Sequence, residues 1–225
     1  MIYPTLITDN FFDNPNEIRD FALQLPYSES SKVYPGIRTP ALHKIHPDFF
    51  KWSTNKIIST IFHNKASDSG ITFEAYQSFQ KIPFNPNEGR GWIHSDDEFE
   101  FTAIVYMSKH RGCGTCFYKR KFMKFPFDNP EFHKHNAVKE KYYGDKKKYT
   151  KEYFDARDAA NEGFEKTLEV DSLYNRLLIF DGSQIHGVEN FFQQDNKEPR
   201  LTLITFFNNI QGVQRFPIPT MRRHI

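Results

Sequence analysis

From Ile71 onward the chain changes its period. ITFEAYQSFQKI (residues 71–82) alternates apolar and polar side chains in the two-residue rhythm of a half-buried strand. EFTAIVYMS (100–108) is a more continuous apolar run, and GTCFYKR (114–120) follows a glycine-containing turn. Residues 166–170, 176–181, 187–192 and 200–207 supply further short runs, separated by Asp-Gly, Asn and Pro. About eight short strands at this spacing have to bury their apolar faces against one another, so they call for a second sheet packed on the first.

Ahead of these strands the period is helical. TLITDNF (5–11) reads as a short strand leading into a turn. Asn14 then stands as a helix N-cap, Pro15 at the first helical position and Glu17 at the third. Ile18, Phe21, Ala22 and Leu25 keep helical spacing until Pro26 stops the run. Residues 27–47 are turn-rich, and a second amphipathic helix is predicted over 48–63, where Phe49, Trp52, Ile57, Ile58 and Ile61 share a face. The expected fold class is mainly β with a helical N-terminal layer: a double-stranded β-helix, or cupin-like jelly roll. The expected organisation is a single domain over 1–225, with the N-terminal strand and helices in 1–70, the jelly-roll core in 71–209 and a tail in 210–225. Residues 121–165 break the strand rhythm and read as a charged, partly helical insertion. Residues 119–151 carry 11 Lys/Arg against 4 Asp/Glu, and residues 152–171 carry 2 against 7.

Bulk properties exclude several functions. At 225 residues the chain can bury a sizeable core, and a formal charge of +2 argues for neither nucleic acid nor membrane as partner. No apolar run approaches the ~18 residues of a membrane span. The opening MIYPTLITDNFFDNPNE lacks a basic-then-apolar signal pattern, so the expected location is cytoplasmic. Two cysteines, Cys113 and Cys116, make no disulfide framework.

The chemistry sits at the rims of the strands. His94 and Asp96, in GWIHSDDEFE, are two residues apart and project to one side of an extended segment. An H-x-D alone is weak, and by itself it favours polar decoration beside a turn. His186 supplies a third donor at the start of a short strand, after the Asp-Gly turn of RLLIFDGSQIHGVENFF. Two imidazoles and a carboxylate on neighbouring strands form a facial triad that leaves about three metal positions open, as in non-haem Fe(II) oxygenases. Arg200 heads the apolar strand RLTLITFF, where an unpaired guanidinium is costly unless it meets an anion. Thr202 lies on the same face, and Tyr106, the polar-tipped side chain of AIVYMS, offers a further hydrogen bond to that anion.

The order H-x-D, a barrel-length interval, H and then R-x-T resembles the Fe(II)/2-oxoglutarate-dependent oxygenases, most closely the prolyl 4-hydroxylase-like branch. The resemblance covers roughly 71–209 together with the N-terminal helical layer. Tyr106-Met107-Ser108 stands where that branch has an aromatic-then-LN strand end, and Gly112-Cys113-Gly114-Thr115 where it has a GGxT turn, with Cys113-Gly114 replacing Gly-Gly. The chain is also similar to uncharacterised oxygenase-like proteins common in bacteriophage and marine bacterial genomes, which would place it in a host cytoplasm. The resemblance implies Fe(II) held by His94, Asp96 and His186, and 2-oxoglutarate as cosubstrate with its distal carboxylate on Arg200, Thr202 and Tyr106. It further implies O2-dependent hydroxylation of a small-molecule or peptidyl substrate, with succinate and carbon dioxide as co-products. The long 121–165 insertion departs from a simple prolyl hydroxylase and leaves the substrate open. A cupin-like metal enzyme that uses no keto acid, and a non-catalytic jelly-roll binding protein, are the alternatives.

Other features carry less. The Cys113–Cys116 CxxC lies between strands rather than before a helix, against a thioredoxin-like role, and a zinc site would need further donors. His43/His46 and His133/His135 lie in polar, turn-like sequence and read as surface histidines. Asp97 would face away from His94, and Asp181 reads as a turn former. The basic, aromatic-bearing stretch 119–151 is a pattern that also binds single-stranded nucleic acid, although a solvated lid over the barrel explains it as well.

Overall fold

The structure, a computed structural model, describes residues 5–29, 34–62, 70–84, 89–121, 150–192 and 198–212. Its elements run β1 (Thr5–Thr8), α1 (Pro15–Gln24), β2 (Ser28–Glu29), β3 (Ile37–Arg38), α2 (Leu42–Ile45), α3 (Pro47–Phe62) and β4 (Thr72–Ile82). There follow β5 (Phe101–Tyr106), β6 (Thr115–Arg120), α4 (Lys151–Asn161), β7 (Phe164–Val170), β8 (Leu177–Asp181), β9 (His186–Gly187) and β10 (Arg200–Gln211). Pro15 opens α1 and Glu17 sits in its first turn, as the sequence predicts, although the Asn14 side chain makes no capping bond.

The strands form a seven-stranded sheet in the order β1-β8-β5-β10-β4-β3-β2 and a three-stranded sheet in the order β7-β6-β9. All pairings are antiparallel. Alternation along β10 decides what each face of the large sheet does. Leu201, Leu203 and Phe207 join Phe79, Val105 and Ile179 in a core that α1 and α3 cover with Ile18, Ala22, Ile57 and Ile61. The opposite face meets the small sheet, where Ile104, Leu178 and Phe180 pack against Phe117 and Val170. The helical layer therefore backs the large sheet, and the space between the sheets is left for a site.

Two expectations need correction. The run 187–192 does not continue as a strand: β9 is only His186–Gly187. Phe191 leaves the ladder, its N–H donating to Gly89 O at 2.9 Å while its ring packs under Gly91. The first strand runs over Thr5–Thr8 and then bends, as its sequence predicts, and Phe11 and Phe12 beyond it are gripped by Asn175. That residue, at φ 61°, accepts from Phe12 N–H at 2.9 Å and donates to Phe12 O at 2.8 Å. The turn-rich 27–47 contains the short hairpin β2–β3 and the helix α2. Most of the 121–165 insertion, with its basic aromatic stretch and His133 and His135, lies outside the described residues, as do residues 213–225 of the tail.

Candidate metal and anion site

His94, Asp96 and His186 offer ligand atoms that all lie within 4.8 Å of one another. His186 is placed by β9, which pairs with Phe117 of β6. His94 joins it through an isolated antiparallel bridge, with backbone hydrogen bonds of 2.8 and 2.7 Å. Each imidazole is oriented by a backbone carbonyl two residues upstream: His94 Nδ1 lies 2.9 Å from Trp92 O, and His186 Nδ1 lies 2.8 Å from Gln184 O. A carbonyl only accepts, so both Nδ1 atoms carry the proton and both Nε2 lone pairs face inward. The Nε2 atoms stand 3.7 Å and 3.5 Å from Asp96 Oδ1 and Oδ2.

Asp96 is not in a strand. Its N–H donates to Gly182 O at 2.7 Å, and its Oδ2 accepts from Thr102 Oγ1 at 2.8 Å. The close approach needs glycine at 182, where a Cβ would fall 2.6 Å from Asp96 O and 2.3 Å from Phe99 O. Asp97 also borders the cavity but is engaged by Ser95 Oγ at 2.9 Å and stands outside the cluster.

The triad opens into a cavity of about 640 Å³ whose wall also includes Arg200, Thr202 and Thr115. Arg200 is 4 % exposed. Its Nε donates to Cys113 O at 2.9 Å, and among the described residues no carboxylate lies within ion-pairing distance. Burial pulls its pKa below the usual arginine value. Thr202 Oγ1 is buried and has no hydrogen-bond partner among the described residues. Tyr106 is cross-strand from Thr202, and its hydroxyl is 2.7 Å from Thr115 Oγ1. Burial pushes the Tyr106 pKa up to about 12, so the phenol stays protonated at neutral pH. Thr115, not Tyr106, lies in the cavity wall. Gly114 permits this: a Cβ there would fall 1.9 Å from Val170 O.

The wall also carries the aromatic side chains of Tyr34, Tyr76, Phe99, Phe206, Trp92 and Tyr153. Tyr153 belongs to α4, which is braced on the segment just before His94. Trp92 Nε1 donates to Tyr153 Oη at 2.9 Å, and Arg157 Nη1 donates to Arg90 O. The Asn161 amide takes the place of a strand partner, accepting from Ile93 N–H at 3.0 Å and donating to Gly91 O at 2.9 Å.

Sequence reasoning singled out His94, Asp96, His186, Arg200, Thr202 and Tyr106; the first five border one cavity, and Tyr106 is not in its wall. It missed Thr102, Gly182 and Asn161. A threonine within the apolar FTAIVY is the one local signal for the first. Both cysteines are buried thiols rather than a disulfide. Cys116 does lie near Glu169 and Glu189, but Lys166 Nζ already sits 2.9 and 2.7 Å from those carboxylates, and burial raises the thiol to about 11. This grouping is an ion-pair cluster beside a protonated thiol. Asp181 forms its turn, accepting from Ser183 N–H at 2.8 Å, and His43 and His46 are exposed.

A model described as a family of unknown function, DUF6445, matches residues 3–207. The chain belongs to the DUF6445 family. No curated protein matches this DUF6445 chain. Among solved structures it is similar to HygX from Streptomyces hygroscopicus with nickel and 2-oxoglutarate bound, at TM-score 0.55 and 10% identity, over 92% of this chain and 83% of that one. HygX with hygromycin B also bound gives TM-score 0.56 and 12% identity over the same shares, 92% and 83%. A Pseudomonas putida prolyl-4-hydroxylase gives TM-score 0.50 and 13% identity over 92% and 93% of the two chains. The DUF6445 protein thus has the jelly-roll fold of the 2-oxoglutarate/Fe(II) oxygenases, as its strand pattern predicts. None of its described helices is long and apolar enough to cross a membrane.

Proposed function

We propose that this protein is an Fe(II)- and 2-oxoglutarate-dependent oxygenase that hydroxylates a small-molecule or peptidyl substrate, releasing succinate and carbon dioxide. One observation carries the reading: the His94/Asp96/His186 cluster and a buried arginine with no carboxylate partner among the described residues border the same cavity. The donor set fits a divalent metal of intermediate softness, since both imidazoles are held at Nδ1 by backbone carbonyls with Nε2 towards Asp96, and the third donor is a carboxylate. The far end fits a carboxylate ligand, because among the described residues the buried Thr202 hydroxyl has no hydrogen-bond partner and Arg200 no carboxylate within ion-pairing distance. The fold of the HygX structures, which hold nickel and 2-oxoglutarate, supports the same assignment.

In this reading His94, Asp96 and His186 hold Fe(II), which with 2-oxoglutarate and O2 supplies the oxidising chemistry. The chain's own contribution is binding, orientation and exclusion of water. Arg200 meets the distal carboxylate of the cosubstrate with a fork already aimed, since the Cys113 carbonyl fixes Nε before any ligand arrives. Thr202 donates to the same carboxylate. Tyr106 stays a neutral hydrogen-bonding group, holding Thr115 at the cavity wall. Ile104, Ile204 and Phe206 keep the space between metal and arginine apolar. Beyond the metal, the aromatic rim formed with α4 receives the substrate.

Anaerobically purified protein loaded with Fe(II) should bind 2-oxoglutarate and turn it over slowly to succinate, with His94→Ala abolishing metal binding. Failure to bind 2-oxoglutarate at millimolar concentration overturns the proposal.

A further inference from the structure

Thr102 is buried near the start of β5, on the face that carries Ile104 and lines the cavity. Valine would fill the same space in this apolar strand, so the hydroxyl needs an acceptor to offset its desolvation. That acceptor is Asp96 Oδ2, at 2.8 Å. Asp96 is the member of the triad outside any strand or bridge, its backbone held by the 2.7 Å bond to Gly182 O. The two histidines have both a ladder position and a carbonyl on Nδ1, whereas the carboxylate takes its rotation from a side chain.

Resting on the metal site argued above, we propose that Thr102 is a positioning residue for the metal-binding carboxylate. Its hydroxyl fixes the rotation of Asp96 so that the carboxylate faces both Nε2 atoms before metal binds. Removing such an orienting partner costs on the order of 10–100-fold in metal affinity, and restoring only the hydroxyl should recover it.

Mn(II) titration of metal-free protein, without 2-oxoglutarate, tests this. Wild type should bind. T102V should bind about 10-fold or more weakly, T102S should return close to wild type, and T102A serves where T102V does not fold. The Co(II) ligand-field spectrum should change in T102V and not in T102S. Wild-type Mn(II) affinity and an unchanged Co(II) spectrum in T102V overturn the proposal. Equal weakening in T102V and T102S also overturns it, because packing of the methyl group would then be the cause. If wild type itself binds no Mn(II), the metal site fails rather than the role of Thr102.

Discussion

The two faces of β10 use neighbouring residues of one strand to opposite ends. On the helix side, Leu201, Leu203 and Phe207 are packed into the core, and the polar groups among them are satisfied. Ser53 Oγ donates to Gln77 Oε1 at 2.9 Å, and Gln77 Nε2 donates to Thr205 Oγ1 at 2.9 Å, a closed chain tying α3 to β4 and β10. On the cavity side, among the described residues, Arg200 has no carboxylate within ion-pairing distance, and neither Thr202 Oγ1 nor Ser78 Oγ has a hydrogen-bond partner. Buried polar groups are ordinarily paired because each orphan costs about 1–3 kcal/mol. A chain that pairs them on one face and leaves them open on the other has one face built for itself and one for a ligand.

The largest effect that tests this contrast belongs to the packed face. Leu203→Ala should lower unfolding free energy by about 2–5 kcal/mol in chemical denaturation, since Leu203 is fully buried and its neighbours cannot collapse. Ile204→Ala, one residue on but bordering an existing cavity, should cost clearly less. Equal costs would remove the distinction between the faces.

The second test inverts the sign. Arg200→Met keeps the bulk and removes a desolvated charge, so the ligand-free protein should gain roughly 1–3 kcal/mol, as when buried ions give way to apolar isosteres. The same change should weaken 2-oxoglutarate binding by ~10-fold or more, because a charge-assisted hydrogen bond is worth about 1.5–3 kcal/mol. A protein destabilised by Arg200→Met would mean that the guanidinium serves the fold.

What could be read from sequence follows the same division. The strands of the packed face are legible because their period is local: β4 and β5 fall within a residue or so of the runs 71–82 and 100–108. β10 outruns its predicted end at 207 because a register shift between Asn208 and Gln211, with Asn209 at φ 52°, absorbs the asparagines that look like a stop. β9 is shorter than GVENFF implies because Phe191 is drawn under Gly91, a contact that no window of sequence contains. At the cavity, His186, Arg200 and Thr202 stand out as polar residues in apolar surroundings, and His94 and Asp96 by their H-x-D spacing. Thr102 hides behind its β propensity, and Asn161 behind a position about seventy residues from the backbone it braces.

The smallest test is the most discriminating, because it compares one residue type on both faces. Thr202→Val removes a hydroxyl with no partner among the described residues, so the ligand-free protein should be unchanged or more stable by up to about 1 kcal/mol. Thr205→Val, three residues on, takes away the acceptor of Gln77 Nε2 and strands a buried donor, costing about 1–3 kcal/mol. Ligand binding reverses the ranking: 2-oxoglutarate affinity should fall roughly 3–10-fold in Thr202→Val, the worth of one hydrogen bond of about 0.5–1.5 kcal/mol. It should hold in Thr205→Val once the protein is folded. Parallel denaturation and 2-oxoglutarate titration of the two variants measure both quantities. Loss of stability in both with no change in affinity would mean that Thr202 has a structural partner and that the cavity face is packing like the other.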